Sequence, residues 1–254
     1  MGCYGGLTEW WLFGVDRYIS NVSLLLHGNG TNGSTTITDS SPSPKTVTVT
    51  GNAQISTDQS KFGGSSLVAG TSPTFAWGSN RLTVPAGSAF AYGTGNFTVE
   101  AWTYVTSFAG DPSWWTQTTG GINYFLVSFS AGGVPSFVFA VSGGGTTVTG
   151  PAVTTNTWNH IAVVRNSGSV TVYTNGIGGT PVACTQDFSN ITYVPTIGSY
   201  THTNTQLVYN GYMDELRITK GIARYEIGTG VNVGKMVFVG TNALALPTAP
   251  FPDI

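Results

Sequence analysis

"NGYMDELRITKGIARY", residues 210–225, decides the fold, because it packs a short apolar-polar strand and five charges into a chain that has few charges to spend. Asp214, Glu215, Arg217, Lys220 and Arg224 stand against totals of only nine Lys and Arg and eleven Asp and Glu in 254 residues. Read with the period of two of a β-strand, Tyr212, Asp214, Leu216 and Ile218 share one face. Met213, Glu215, Arg217 and Thr219 share the other. Asp214 and Glu215 then point apart, which excludes a shared acid/base pair unless a bulge intervenes.

Outward from this stretch the same period recurs. "VSLLLH", "TVTVTG", "NFTVEAWTYV", "YFLVSFS", "SFVFAVS", "WNHIAVVRN" and "SVTVYTNG" all read as strands, and helical periodicity is nearly absent. "RNSGS" and Asn175-Gly176 supply the turn chemistry of tight hairpins. In "NFTVEAWTYV", Phe97, Val99, Ala101, Thr103 and Val105 form one face. Thr98, Glu100, Trp102 and Tyr104 form the other, so both faces of this strand should be covered. The expected architecture is all-β: a two-sheet antiparallel sandwich over residues 21–225, an aromatic N-terminal arm over 1–20, and a C-terminal ribbon and Pro-rich extension over 226–254.

Composition narrows the function. Charged residues make up 8% of the chain, against about 25% in ordinary soluble domains, and Gly, Ser, Thr and Asn supply the polar surface. The bases are scattered singly, which gives no stripe for a phosphate backbone, so nucleic acid is not expected as a partner. No apolar run approaches the ~18 residues of a membrane helix, so membrane insertion is not expected either. The N-terminus has neither the basic start nor the apolar core of a secretory signal, which predicts synthesis in a host cytoplasm without export. Cys3 and Cys184 are read as free thiols.

The segments "VSLLLHGNG", "GNFTVEAWTYVTSF", "NTWNHIAVVRNSGSVTVYTNG", "TIGSY", "NGYMDELRITKGIARY" and the closing "PTAPFP" follow one another in an order that resembles the laminin-G-like, concanavalin A-type jelly rolls. The likeness is nearest to those carried by bacteriophage structural proteins. It implies two sheets packed face to face, with "YMDELRIT" as a late strand crossing the sandwich. Relatives often carry acids for a rim calcium at two segments that read "LLHGNG" and "LVAGTSPTFAWGSNRL" here. The acids are missing, so no metal or other cofactor is expected.

The acids show no alternating glycosidase pattern, and Glu100 stands alone on its strand, so no catalytic residue is assigned and no enzyme is expected. Asp214, Glu215 and Arg217 are read as a structural clasp that satisfies loop amides or one another. His27, His160 and His202 have no metal-binding spacing, and His160 reads as a packed histidine. In "DPSWWTQTTGG", turn formers flank Trp114 and Trp115 and predict at least one exposed indole. With Tyr200 and His202 these form the predicted ligand-binding set. Tyr4, Trp10, Trp11, Phe13 and Tyr18 of the arm are the predicted partner interface. The resulting expectation is a phage virion protein, a capsid decoration or tail-fibre module located in the virion. Its partners would be other virion proteins and further copies of itself in a homo-oligomer, with adhesion to host-surface glycan as an added role. The alternative is a carbohydrate-binding, lectin-like module.

Overall fold

The computed structural model describes residues 16–69, 80–118, 124–141, 144–190, 192–200, 208–240 and 245–253. Its strands form two large antiparallel sheets. The first runs β13 (Ile177–Gly178), β12 (Ser169–Thr174), β11 (Trp158–Asn166), β6 (Phe97–Val105), β16 (Gly211–Lys220), β4 (Ser66–Val68) and β3 (Gln54–Ser56). Here β1 (Val22–Leu26) also pairs with β16, and β14 (Val182–Ala183) with β12. The second runs β10 (Gly144–Thr149), β9 (Pro135–Val141), β8 (Tyr124–Phe129), β7 (Ser113–Thr118), β15 (Val194–Ile197), β5 (Arg81–Thr83) and β2 (Thr48–Thr50).

Alternation places the core between the sheets. Phe97, Val99, Ala101 and Val105 of β6 join Ile161 and Val163 of β11 and Leu24 and Leu26 of β1. Opposite them lie Phe125, Val127, Phe129, Phe137 and Phe139. Phe125 meets Phe137 edge-on with centroids 4.6 Å apart, a favoured aromatic geometry. The predicted turns form as expected: Asn175 and Gly176 both take positive φ, at 49° and 79°. Between β11 and β12 the positive-φ pair is Ser167 and Gly168.

Two bulges change the sequence-based faces. On β16 the pairing with β6 slips between Asp214 and Arg217, and Glu215 sits in the left-handed region at φ 52°. The inserted residue moves Met213 onto the core side with Leu216 and Ile218. Tyr212, Asp214 and Arg217 therefore all face outward, which corrects the simple alternation. On β7 the pairing with β8 slips between Ser113 and Trp115. Trp114 and Trp115 both turn inward, each 0% exposed, so the predicted exposed indole is corrected: the "loop" is a bulged strand that buries both rings.

A third layer covers part of the nine-stranded sheet's outer face. A two-stranded ribbon of β17 (Tyr225–Ile227) and β18 (Met236–Phe238) packs through Tyr225 and Met236 on Ala162, Val164 and Tyr173. Phe251 from the C-terminal extension packs with Val22 and Leu25. These contacts bury Ala162 and Val164 on the second face of β11, and Val22 and Leu25 on that of β1.

Candidate functional site

The outer face of the nine-stranded sheet carries four cross-strand rows. The first is Trp158, Tyr104 and Tyr212, and the second His160, Trp102 and Asp214. The third is Ala162, Glu100, Arg217 and Leu25, and the fourth Val164, Thr98, Thr219 and Val22. The third and fourth lie under the ribbon and the chain ends. The first lies beyond them, and its three rings are only half-buried.

The third row holds the charge. Glu100, 0% exposed, accepts from Arg217 Nε at 3.0 Å and Nη2 at 2.9 Å on one oxygen. Its other oxygen accepts from the Tyr225 hydroxyl at 2.8 Å and lies 3.2 Å from His160 Nε2. Arg217 Nη1 reaches Asp16 at 3.1 Å, and Arg224 donates to the same carboxylate through Nη1 at 3.0 Å and Nη2 at 2.7 Å. Two carboxylates and two guanidiniums thus close a neutral buried cluster. Burial alone would raise the Glu100 pKa, but Arg217 and then His160 outweigh it and hold the carboxyl at about 2. The Phe251 ring lies 3.5 Å from the Arg217 guanidinium carbon.

Beside it sits a clasp on the C-terminal segment. Glu215 touches His27 Nδ1 at 2.8 Å and accepts from the Phe251 amide at 2.7 Å, while His27 Nε2 meets Asp253 at 2.7 Å. Burial lowers the His27 pKa, yet the carboxylates of Glu215 and Asp253 prevail and raise it to about 9. Asp214 differs from its neighbours. One oxygen accepts from the amides of Lys61 and Phe62 at 2.8 and 3.0 Å, and among the described residues no base pairs with it. Burial pushes its carboxyl up to about 7. Asp214 is therefore a loop anchor that satisfies amides, while Glu215 and Arg217 form ion pairs with His27 and Glu100.

The anchored loop covers the second row. Lys61 Nζ stands 3.9 Å over the Trp102 ring, and Phe62 meets Trp102 edge-on at 6.1 Å. In the first row, Tyr104 lies 5.6 Å from Trp158 and 5.8 Å from Tyr212, at interplanar angles of 60° and 77°.

The remaining predicted residues scatter. Trp114 and Trp115 line the core and Tyr200 is half-buried, while His202 lies outside the described residues. So do Tyr4, Trp10, Trp11 and Phe13. Tyr18 docks within the chain, with the Arg224 guanidinium 5.7 Å from its ring and that of Arg17 at 4.6 Å. The predicted ligand set is thus not assembled among the described residues. The aromatic row went unseen because strand alternation places Trp158, Tyr104 and Tyr212 on faces, while only the register brings them side by side.

Two large antiparallel sheets packed face to face over one core define, as a class, a jelly-roll sandwich. The chain belongs to the concanavalin A-like lectin/glucanases superfamily, whose laminin-G-type sequence signature matches residues 77–223. Among solved structures it is similar to the binding domain of Paraclostridial Mosquitocidal Protein 1, with TM-score 0.59 and 14% identity over 81% of this chain and 50% of that one. It is also similar to domain 4 of AbnA, an extracellular arabinanase from Geobacillus stearothermophilus solved with arabinotriose, with TM-score 0.58 and 18% identity over 80% and 94%. The binding domain of Botulinum neurotoxin DC, solved with rat synaptotagmin II, gives TM-score 0.52 and 12% identity over 81% and 49%. This chain spans about half the length of the two toxin binding domains. At these identities the likeness is one of fold. No curated protein sequence matches the chain.

Proposed function

We propose that the protein is a non-catalytic, lectin-like module that binds carbohydrate. The observation that carries this reading is the row Trp158–Tyr104–Tyr212, half-exposed on a sheet face where Glu100, Asp16 and Glu215 are already committed to buried partners. Aromatic faces exposed in a charge-poor surface are platforms for sugar rings, whereas acid/base hydrolysis needs a free carboxylate pair across a cleft. Superfamily membership supports the reading, as does a similar domain solved with arabinotriose. The test is a glycan array probed with the whole chain, combined with an assay for new reducing ends on every glycan that binds. Binding without turnover is expected; release of reducing ends would replace the module with an enzyme.

A second reading concerns what carries the module. The order of segments resembles phage structural proteins, and the aromatic N-terminal arm precedes an Asp16 tied to Arg217 and Arg224. On this reading the arm's Tyr4, Trp10, Trp11 and Phe13 bind other virion proteins or another copy of the chain, and the sandwich faces the host surface. Mass spectrometry of purified particles tests it: a fixed copy number per particle is expected, and absence from particles would remove the virion as its location.

A further inference from the structure

Beside the aromatic row, three buried polar atoms lack partners, one in each member of the second row. They are His160 Nδ1, Trp102 Nε1 and Asp214 Oδ1. A buried polar group left unpaired costs about 1–3 kcal/mol, and most such groups find a protein or water partner. The five other unpaired buried atoms among the described residues belong to Tyr92, Trp114, Trp115, Gln117 and Arg165, none of which lies in these rows. Three in one row, on three neighbouring strands, is a local concentration.

Their chemistry is mixed. His160 Nε2 faces the Glu100 carboxylate and donates to it, so Nδ1 accepts in the neutral ring and donates in the protonated one. Trp102 Nε1 can only donate. Asp214 Oδ1 accepts when ionised and donates when protonated. The Lys61–Phe62 segment covers these three atoms, held by the other oxygen of Asp214. Beyond its edge lie the three half-exposed rings, with Asp58 acting electrostatically on Tyr212.

From this juxtaposition we infer that the two rows together form one saccharide site: Trp158, Tyr104 and Tyr212 stack sugar rings, and the Lys61–Phe62 strap shifts on binding so that sugar hydroxyl groups pair with His160, Trp102 and Asp214. The inference rests on the carbohydrate-binding reading and specifies its site and ligand class. The ligand is a soluble, neutral, linear oligosaccharide. Rings tilted by 60° and 77° offer no common plane to a flat crystalline polysaccharide, and no charged side chain belongs to the first row. Three strands spaced about 4.8 Å apart make a row about 10 Å wide between its outer members, a disaccharide-length contact.

The test is calorimetric titration of the whole chain with neutral linear oligosaccharides of glucose, xylose, mannose and arabinose, repeated on Trp158→Ala and Tyr104→Ala. Each variant's urea midpoint serves as the check on folding. At least a tenfold weaker Kd is expected in both variants, with the fold retained. An oligosaccharide that binds wild type and both folded variants equally would overturn this site and leave the carbohydrate reading standing. Binding only to insoluble polysaccharide would overturn the ligand class. Absence of binding to any glycan, soluble or insoluble, would overturn both. If Trp158→Ala unfolds, Trp158→Phe, which keeps a smaller ring, supplies the comparison and should bind between wild type and no binding.

Discussion

One sheet face carries two regions built from the same strands and put to opposite uses. In the third and fourth rows, Glu100, Arg217, Thr98 and Thr219 lie under the ribbon and the chain ends, and every charge there has a partner. In the first row, four positions along β6 and β11 from the third, the aromatic rings are half-exposed and no charged side chain belongs to the row. A chain with 8% charged residues gathers many of those charges into the first region, where they fasten the ribbon and both ends to the sandwich. Around the second, Lys61 and Asp58 stand only at the border. Glu100 in the locked half thus stabilises the fold, while Tyr104 four residues on is available to a ligand.

The largest effect should come from unlocking the covered half. Arg217→Met keeps an apolar stem beside Phe251 but leaves Glu100 without the guanidinium that donates to it twice, and should cost about 3–5 kcal/mol in urea unfolding. Glu100→Gln in the same chain should recover part of that loss, because the uncompensated buried charge is gone. Acid should open the lock as well. With a folded pKa of about 2 against an ordinary 4.5, Glu100 contributes stability that is present above pH 4.5 and lost as pH falls through 2. The Glu100→Gln variant should therefore show a flatter stability profile over that window.

A smaller effect is expected at the C-terminal clasp, with the opposite sign in pH. A His27 pKa raised to about 9 means its contribution is complete below pH 6.5 and lost as pH rises through 9. Limited proteolysis of the last residues should accelerate across that window in wild type. In His27→Gln it should be fast at every pH.

A further pH effect belongs to Asp214, at the border between the two regions. Its carboxyl, raised to about 7, takes up protons on folding, so ionisation costs stability progressively between pH 3.8 and 7. Asp214→Asn can still accept the Lys61 and Phe62 amides. Its unfolding midpoint should match wild type near pH 4 and exceed it at pH 7 and above. A variant less stable at every pH would show that the ionised form is what holds the loop.

Much of the sandwich was legible in the sequence, because period-two patterning and positive-φ turns such as Asn175–Gly176 are local signals. The faces of "YMDELRIT" and the fate of "SWW" were not. A bulge inserts one residue without marking the pattern, so Met213 and Trp114 each change sides. The site was hidden for a related reason. Glu100 looked solitary on its strand, yet its partner Arg217 lies 117 positions away, brought opposite only by register. Tyr104 and Tyr212 were likewise placed on strand faces without a partner, and only the register sets Trp158 beside them. Adjacent tryptophans in a turn-rich stretch were the more visible signal, and they proved to be core.

The contrast between the two halves can be read in one experiment: hydrogen–deuterium exchange of the whole chain with and without the strongest-binding oligosaccharide. The account predicts new protection confined to peptides spanning 58–62, 102–106, 157–160 and 211–214. Peptides over 22–27, 97–100 and 223–227 should be protected already and unchanged. Protection gained on the seven-stranded sheet instead, or at the ribbon, would contradict it.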